Sequence, residues 1–267
     1  MILRPRAGAS LNLAHPLARG IIYARQFSKV WPSSGNIAPD FYTGFQGDIT
    51  GNQLPTISEA KFGPALTNGF FYSSRNFSLP LTAGTCLAFV TAGFSPTDSI
   101  SHYVFNWHSN QFLIAKPSVN QMNLGWANPV VVSSSGLWTA GDSFIIGASW
   151  TNTLQVGYVK TRIGTTTNVP SGSGDVLVIG GENISFPHQW CNGSDGSAIY
   201  WIAFWRRTLS DHEIAQISAD PWIFWRKIDN YSSLFSVGNI SPPPPSLNVF
   251  DAPNVNTVRR IVRIVAT

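Results

Sequence analysis

The stretch Ser197–Lys227, SAIYWIAFWRRTLSDHEIAQISADPWIFWRK, constrains this chain more than any other. Ser197 to Trp205 is an unbroken run of β-branched, aromatic and small side chains without Gly or Pro. Such continuity suits a strand covered on both faces rather than one half in water. Ser210 and Glu213 are spaced as a capping box, and Leu209 and Ile214 as a hydrophobic staple. A short helix is therefore expected over residues 210–218, with Ile214 and Ile217 on one buried face. Asp220-Pro221 ends it, because the residue before a proline is pushed out of the helical region. Trp222, Phe224 and Trp225 then form an apolar plug too large to leave in water.

Upstream, short apolar runs recur between turn signals. The clearest are Thr85–Ala92, Tyr103–Trp107, Gln111–Ala115, Val130–Ser133, Ser143–Trp150, Leu154–Val159 and Val176–Gly180, after a first strand within Leu17–Phe27. Thr151–Thr153 joins two of them as a hairpin. Strands at this spacing imply an all-β sandwich of two antiparallel sheets. Charged residues make up 11% of the chain, under half the usual share of about 25%. A surface so poor in charge suggests that partners cover part of it.

Several classes fall away. No apolar stretch is long enough to span a membrane, and MILRPRAGAS lacks the apolar run of a signal peptide. The net charge of +4 is spread thinly, and without a nucleic-acid-binding motif nucleic acid is not an expected partner. Cys86 and Cys191 lie in apolar surroundings with no Cys/His cluster, and read as buried free thiols. His15 beside Pro16 reads as a turn or capping residue. Asp48 in the turn GDITGN is a single carboxylate without acidic neighbours, so neither a metal nor any cofactor is expected. Glu59, Glu182 and Glu213 have no acid two positions away, and Glu213 is already used by the capping box. Without the carboxylate pair that glycoside hydrolysis usually needs, and without a G-x-S-x-G elbow, no enzymatic activity is expected.

The pattern of apolar strand, R-x-L-S-x-x-E-I, short helix and D-P-W at Ala198–Trp222 resembles the closing strand and helix of laminin-G-like, concanavalin A-like jelly-roll domains. The D-P-W exit resembles versions encoded by tailed bacteriophages, as does NLAHPLARG at Asn12–Gly20. KFGPALTNGFFYSS, GLWTAGDSFIIGASW with LQVGYVKT, and VLVIGG extend the similarity loosely over residues 12–227. The resemblance implies a jelly-roll sandwich over residues 17–235, preceded by an arm at 1–16. A proline spacer and C-terminal arm follow at 236–267.

Two functions follow as expectations. The first is a structural subunit on the exterior of a tailed-phage virion, as capsid decoration or in the tail, made in the host bacterial cytoplasm. Its partners would be other capsid or tail subunits in a multi-copy or homo-oligomeric assembly. Val258, Val262 and Ile264 would be the buried contacts of the arm, with Arg259, Arg260 and Arg263 at their rim. The alternative is a carbohydrate-binding module or adhesin for host surface glycans, with Trp190, Asn192 and Asp195 on the loop HQWCNGSDG as contacts.

Overall fold

The computed structural model of the chain describes residues 11–27, 37–39, 46–48, 55–73, 79–107, 112–126, 129–167, 177–182 and 189–225. Among the described residues sixteen strands run in chain order: β1 (Ile21–Gln26), β2 (Ile37–Pro39), β3 (Gln46–Asp48), β4 (Thr56–Ala60), β5 (Gly63–Asn68), β6 (Phe71–Ser73), β7 (Ala83–Ala92) and β8 (His102–Trp107), then β9 (Phe112–Ser118), β10 (Gln121–Trp126), β11 (Val130–Ser133), β12 (Asp142–Thr151), β13 (Gln155–Val159), β14 (Thr161–Thr166), β15 (Leu177–Ile179) and β16 (Ala198–Trp205). A 3-10 turn at Pro16–Ala18 precedes them, and helix α1 (Asp211–Ala219) follows.

Two antiparallel sheets form the sandwich, as the strand spacing implies. The larger has the order β14-β13-β12-β7-β16-β5-β4, with β1 also paired to β16. Strand β16 shares its second edge between two neighbours. Ile199 pairs with Leu66 of β5, while Trp201–Trp205 pair with β1. The smaller sheet runs β11-β10-β9-β8-β15-β6, and β2 and β3 form a separate ribbon. Between the two sheets lies a core that includes Trp107, Trp126, Trp150, Phe112 and Phe204, its rings meeting edge-on or tilted.

A second apolar layer covers the outer face of the large sheet. Ile214 and Ile217 of α1 pack there with Trp201, Trp205, Trp222, Phe224 and Trp225. This explains the continuous apolar run of β16: one face looks into the sandwich, the other into this plug. A nine-residue helix is too short to hold itself in water. Burying its two isoleucines, at about 1.5–3 kcal/mol each, supplies what propensity cannot. The capping box forms as expected, with Ser210 Oγ accepting from Glu213 N–H and Glu213 accepting from Ser210 N–H. The helix lies one residue later than the expected 210–218, because Ser210 is its cap. The segment before β1 is tied to the plug: Trp205 Nε1 donates to Leu17 O at 2.7 Å, and Asn12 N–H to Phe224 O at 2.8 Å. His15 accepts from Leu17 N–H as a cap.

Candidate functional site

Trp190 does not lie on a sugar-facing loop tip. It is 0% exposed, and it ties the sheets together at one end of the sandwich. Its indole N–H donates to Thr91 O on β7 of the large sheet at 3.0 Å. Its backbone N–H bonds to Tyr103 O on β8 of the small sheet at 3.2 Å and to Gly180 O at 3.0 Å. Phe94 meets the indole edge-on, 4.9 Å away. An indole with both faces in the core cannot stack on a sugar, so its place among the glycan contacts is corrected.

The residues after it form an exposed turn. Asn192 Oδ1 accepts from Ser194 N–H, Ser194 Oγ–H and Asp195 N–H at 3.0, 3.1 and 3.2 Å. Asn192 also bridges to Asn68 of β5. Gly193 and Gly196 adopt φ of 81° and 79°, which a side chain would resist. Asn192, Gly193, Ser194 and Gly196 are exposed. Asp195 faces the other way: Oδ1 accepts from Ser197 N–H at 2.8 Å, and Oδ2 is closed off from solvent with no partner. Gly93 seats this turn against the large sheet. Its N–H donates to Ser197 Oγ, and a Cβ there would lie 1.8 Å from Asp195 O.

Beside the turn, residues 94–101 are held over the same end of the sandwich. Trp138 Nε1 donates to Phe94 O at 3.1 Å and Ser134 Oγ to Pro96 O at 2.6 Å. Lys116 of β9, itself 0% exposed, donates to Asp98 O at 2.8 Å, to Ile100 O at 2.9 Å and to the Asp98 carboxylate. His102 of β8, 1% exposed, lies flat on Phe94 with ring centroids 3.4 Å apart. Its Nε2 is 2.9 Å from Asp98 Oδ2 and its Nδ1 is 3.1 Å from Gln189 O. Burial acts to raise the Asp98 carboxyl, but hydrogen bonds from Lys116 and His102 outweigh it and hold the group below its ordinary value. Burial drives His102 below its ordinary value despite the Asp98 carboxylate. The sequence reading missed this cluster. Its one signal is a lysine closing the apolar run FLIAK, where a charge needs a buried partner.

A second polar group lies on β8, between β9 and β15 of the small sheet. Tyr103 bonds to the Glu182 carboxylate, and Asn106 Nδ2 donates to Glu182 O. Burial, with the Glu182 charge and hydrogen bond, pushes the Tyr103 hydroxyl up to about 12, so it stays a donor. Cys86 and Cys191 are free and buried, and burial raises both thiols well above their ordinary value. Among the described residues no three His, Cys, Asp or Glu side chains converge as a metal site. No described helix is long and apolar enough to cross a membrane. Val258, Arg259, Arg260, Val262, Arg263 and Ile264 lie outside the described residues, as do the surroundings of Asp48.

No protein-family model and no curated protein sequence matches the chain. Solved structures do. A Trypanosoma rangeli sialidase in complex with sialic acid matches with a TM-score of 0.52 and 12% identity, over 74% of this chain and 32% of that one. The same sialidase solved alone gives 0.52 and 13% identity, over 79% and 35%. The binding domain of botulinum neurotoxin DC in complex with SialylT gives 0.48 and 10%, over 75% and 51%. The chain thus spans about a third of the sialidases' length, and what it shares with them is the β-sandwich fold. This corrects the expectation of no enzymatic activity: the fold occurs within glycan-cleaving enzymes. That expectation rested on a missing carboxylate pair, and glycoside hydrolysis also proceeds with a tyrosine nucleophile.

Proposed function

We propose that the chain is a carbohydrate-binding module that takes glycan hydroxyls at the Asn192–Gly196 end of the sandwich. The observation that carries this reading is the preorganised turn. Three hydrogen bonds onto Asn192 Oδ1 fix the loop before any ligand arrives, so little conformational entropy remains to be lost on binding. The fixed oxygen leaves the Asn192 amide N–H groups as donors, and Ser194 Oγ, whose proton goes to Asn192 Oδ1, offers an acceptor on the same exposed ridge. Asn68, half-buried beside Gly193, extends the polar surface. Asp195 shapes the ridge from beneath. The shared fold supports the reading, since one of the similar sialidases was solved with sialic acid bound. The test is a glycan array followed by calorimetry on any hit. Asn192→Ala and Ser194→Ala should each weaken binding several-fold while the melting temperature changes little. An array without hits, or a hit that both variants bind as tightly as the parent, would refute the assignment.

The virion reading is the second one, supported by the R-x-L-S-x-x-E-I and D-P-W words at Arg206–Trp222. In that setting the module sits on a phage particle among capsid or tail subunits and presents its glycan face to the host. Residues 247–267 clamp a neighbouring subunit through Val258, Val262 and Ile264, with Arg259, Arg260 and Arg263 at the rim. Deletion after Ser241 should leave a folded protein that no longer joins the particle; normal incorporation would sink the clamp.

A further inference from the structure

Both ring nitrogens of His102 face groups that accept hydrogen bonds. Gln189 O is a backbone carbonyl and can only accept, so Nδ1 needs a proton to use it. Asp98 Oδ2 belongs to a carboxylate whose other oxygen and backbone carbonyl are both taken by Lys116. While that carboxylate is ionised it too can only accept, so Nε2 also needs a proton. A neutral imidazole carries one. It keeps that proton on Nε2, because the bond to a carboxylate is about twice as strong as one to a neutral carbonyl. Nδ1 then turns a lone pair on Gln189 O, and that contact becomes repulsive. Gln189 immediately precedes Trp190 and the Asn192–Gly196 turn.

We propose that His102, Asp98 and Lys116 form a pH-gated latch: a proton on His102 ties the Gln189–Gly196 segment to the small sheet, and its loss loosens that segment. The charged groups that bear on the ring are Asp98 and Lys116; Phe94 and Trp190, packed against it, carry none. Lys116 keeps Asp98 ionised and in place in both states, so the change falls on the Gln189 side. Burial lowers the His102 midpoint from the ordinary value of about 6.5, which places closure on the acidic side of neutrality. Trp190 and Gly69, which donates to Gln189 Oε1 at 3.2 Å, still hold the segment when the latch is open. The change is therefore a loosening and leaves the sandwich intact. As regulation of glycan binding the latch rests on the function proposed above; as a device in the fold it does not.

The deciding measurement needs no ligand. The ¹⁵N shifts of His102 are followed from about pH 5 to pH 8, the range over which a histidine changes charge. Amide exchange of Trp190–Gly196 is followed over the same range and corrected for intrinsic rates. The latch requires both ring nitrogens to be protonated at the acid end. It also requires protection of the Asn192–Asp195 amides to fall about threefold to tenfold through the His102 midpoint, the worth of one hydrogen bond. In His102→Asn that step should vanish. If the variant does not fold, the titration of the parent protein decides alone. A ring that stays neutral down to about pH 5, or protection that ignores the midpoint, overturns the latch. An array without glycan hits beside an intact exchange step overturns the binding function and leaves the latch standing.

Discussion

Glu213 shows how much one side chain of this fold can carry. Its carboxylate takes Arg207 in a two-pronged ion pair at 3.0 and 2.8 Å and closes the capping box on Ser210 N–H at 2.9 Å. The Arg207 hydrogen bond, against a smaller effect of burial, holds its carboxyl below the ordinary range. A folded-state value below the unfolded one means stability that is present above the unfolded value of about 4.3 and lost as pH falls through the folded one. Glu213→Gln should therefore melt below the parent protein at neutral pH, and the two melting curves should converge in acid. A gap that persists at low pH would mean that the loss is one of packing. Lys116 makes a different case, since it is fully buried with its charge paired to Asp98. Lys116→Met keeps the stem and takes the cation from the Asp98 carboxylate, which is left to the His102 bond. The cost should be about 3 kcal/mol, the lower part of the range for a broken buried pair, because Asp98 is 23% exposed. Denaturant unfolding measures it, and adding Asp98→Asn should recover part of the loss; no recovery would mean that the two groups are not coupled. The sequence could not display this pair. Asp98 and Lys116 meet only because β8 and β9 form a hairpin, and nothing local marks that meeting.

At the scale of elements, what was legible was local. The box on Ser210, the Pro221 stop and the plug after it depend on residues within a few positions of one another, and α1 formed where they require. Strands β4, β5, β10 and β14 had no such signal. Gln121–Trp126 breaks its apolar run with Asn123 and Gly125, and Thr161–Thr166 is an edge strand with no apolar face to announce it. Trp190 was misread for the same reason: polar neighbours suggest a loop in water, and only the tertiary fold brings Thr91 O and Tyr103 O to it. The element-scale predictions follow from the packing. Ser210→Ala should cost about 0.5–2 kcal/mol by removing the cap. Trp201→Ala, which empties the centre of the outer layer, should cost about 3–5 kcal/mol. Equal losses for the two in denaturant titrations would mean that the plug adds little. Gly93→Ala should push the Asn192–Gly196 turn off the large sheet, since the new Cβ meets Asp195 O and a backbone atom cannot swing aside. Overpacking of this kind costs about 1–3 kcal/mol, and any glycan affinity should fall with it. A variant whose amide spectrum matches the parent at residues 191–197 would show that the turn is not seated on Gly93.

At the scale of the whole molecule, the described residues build two apolar layers, and all the buried members of both lie within residues 17–225. The core between the sheets draws on strands from β1 to β16, and the outer layer closes with Leu17, Ala18 and Trp225. The segment that joins first and last elements is short and specific: β1 pairs along β16, Trp205 bonds to Leu17 O, and Arg207 Nε bonds to Arg19 O at 2.8 Å. Stability is therefore expected to reside in these two layers, and the run of four prolines with the valine- and arginine-rich sequence after it at 242–267 is the part of the chain on which that expectation can be tested. A chain ending at Ser241 should melt within a few degrees of the full protein, since a difference of about 1 kcal/mol shifts a domain of this size by roughly 2–4 °C. Removing residues 1–20 at the other end should cost far more, because it opens the plug beside Trp205 and Phe224. If instead the shorter C-terminus brings a broad, early transition while the N-terminal deletion melts normally, the two described layers do not carry the stability that their packing implies.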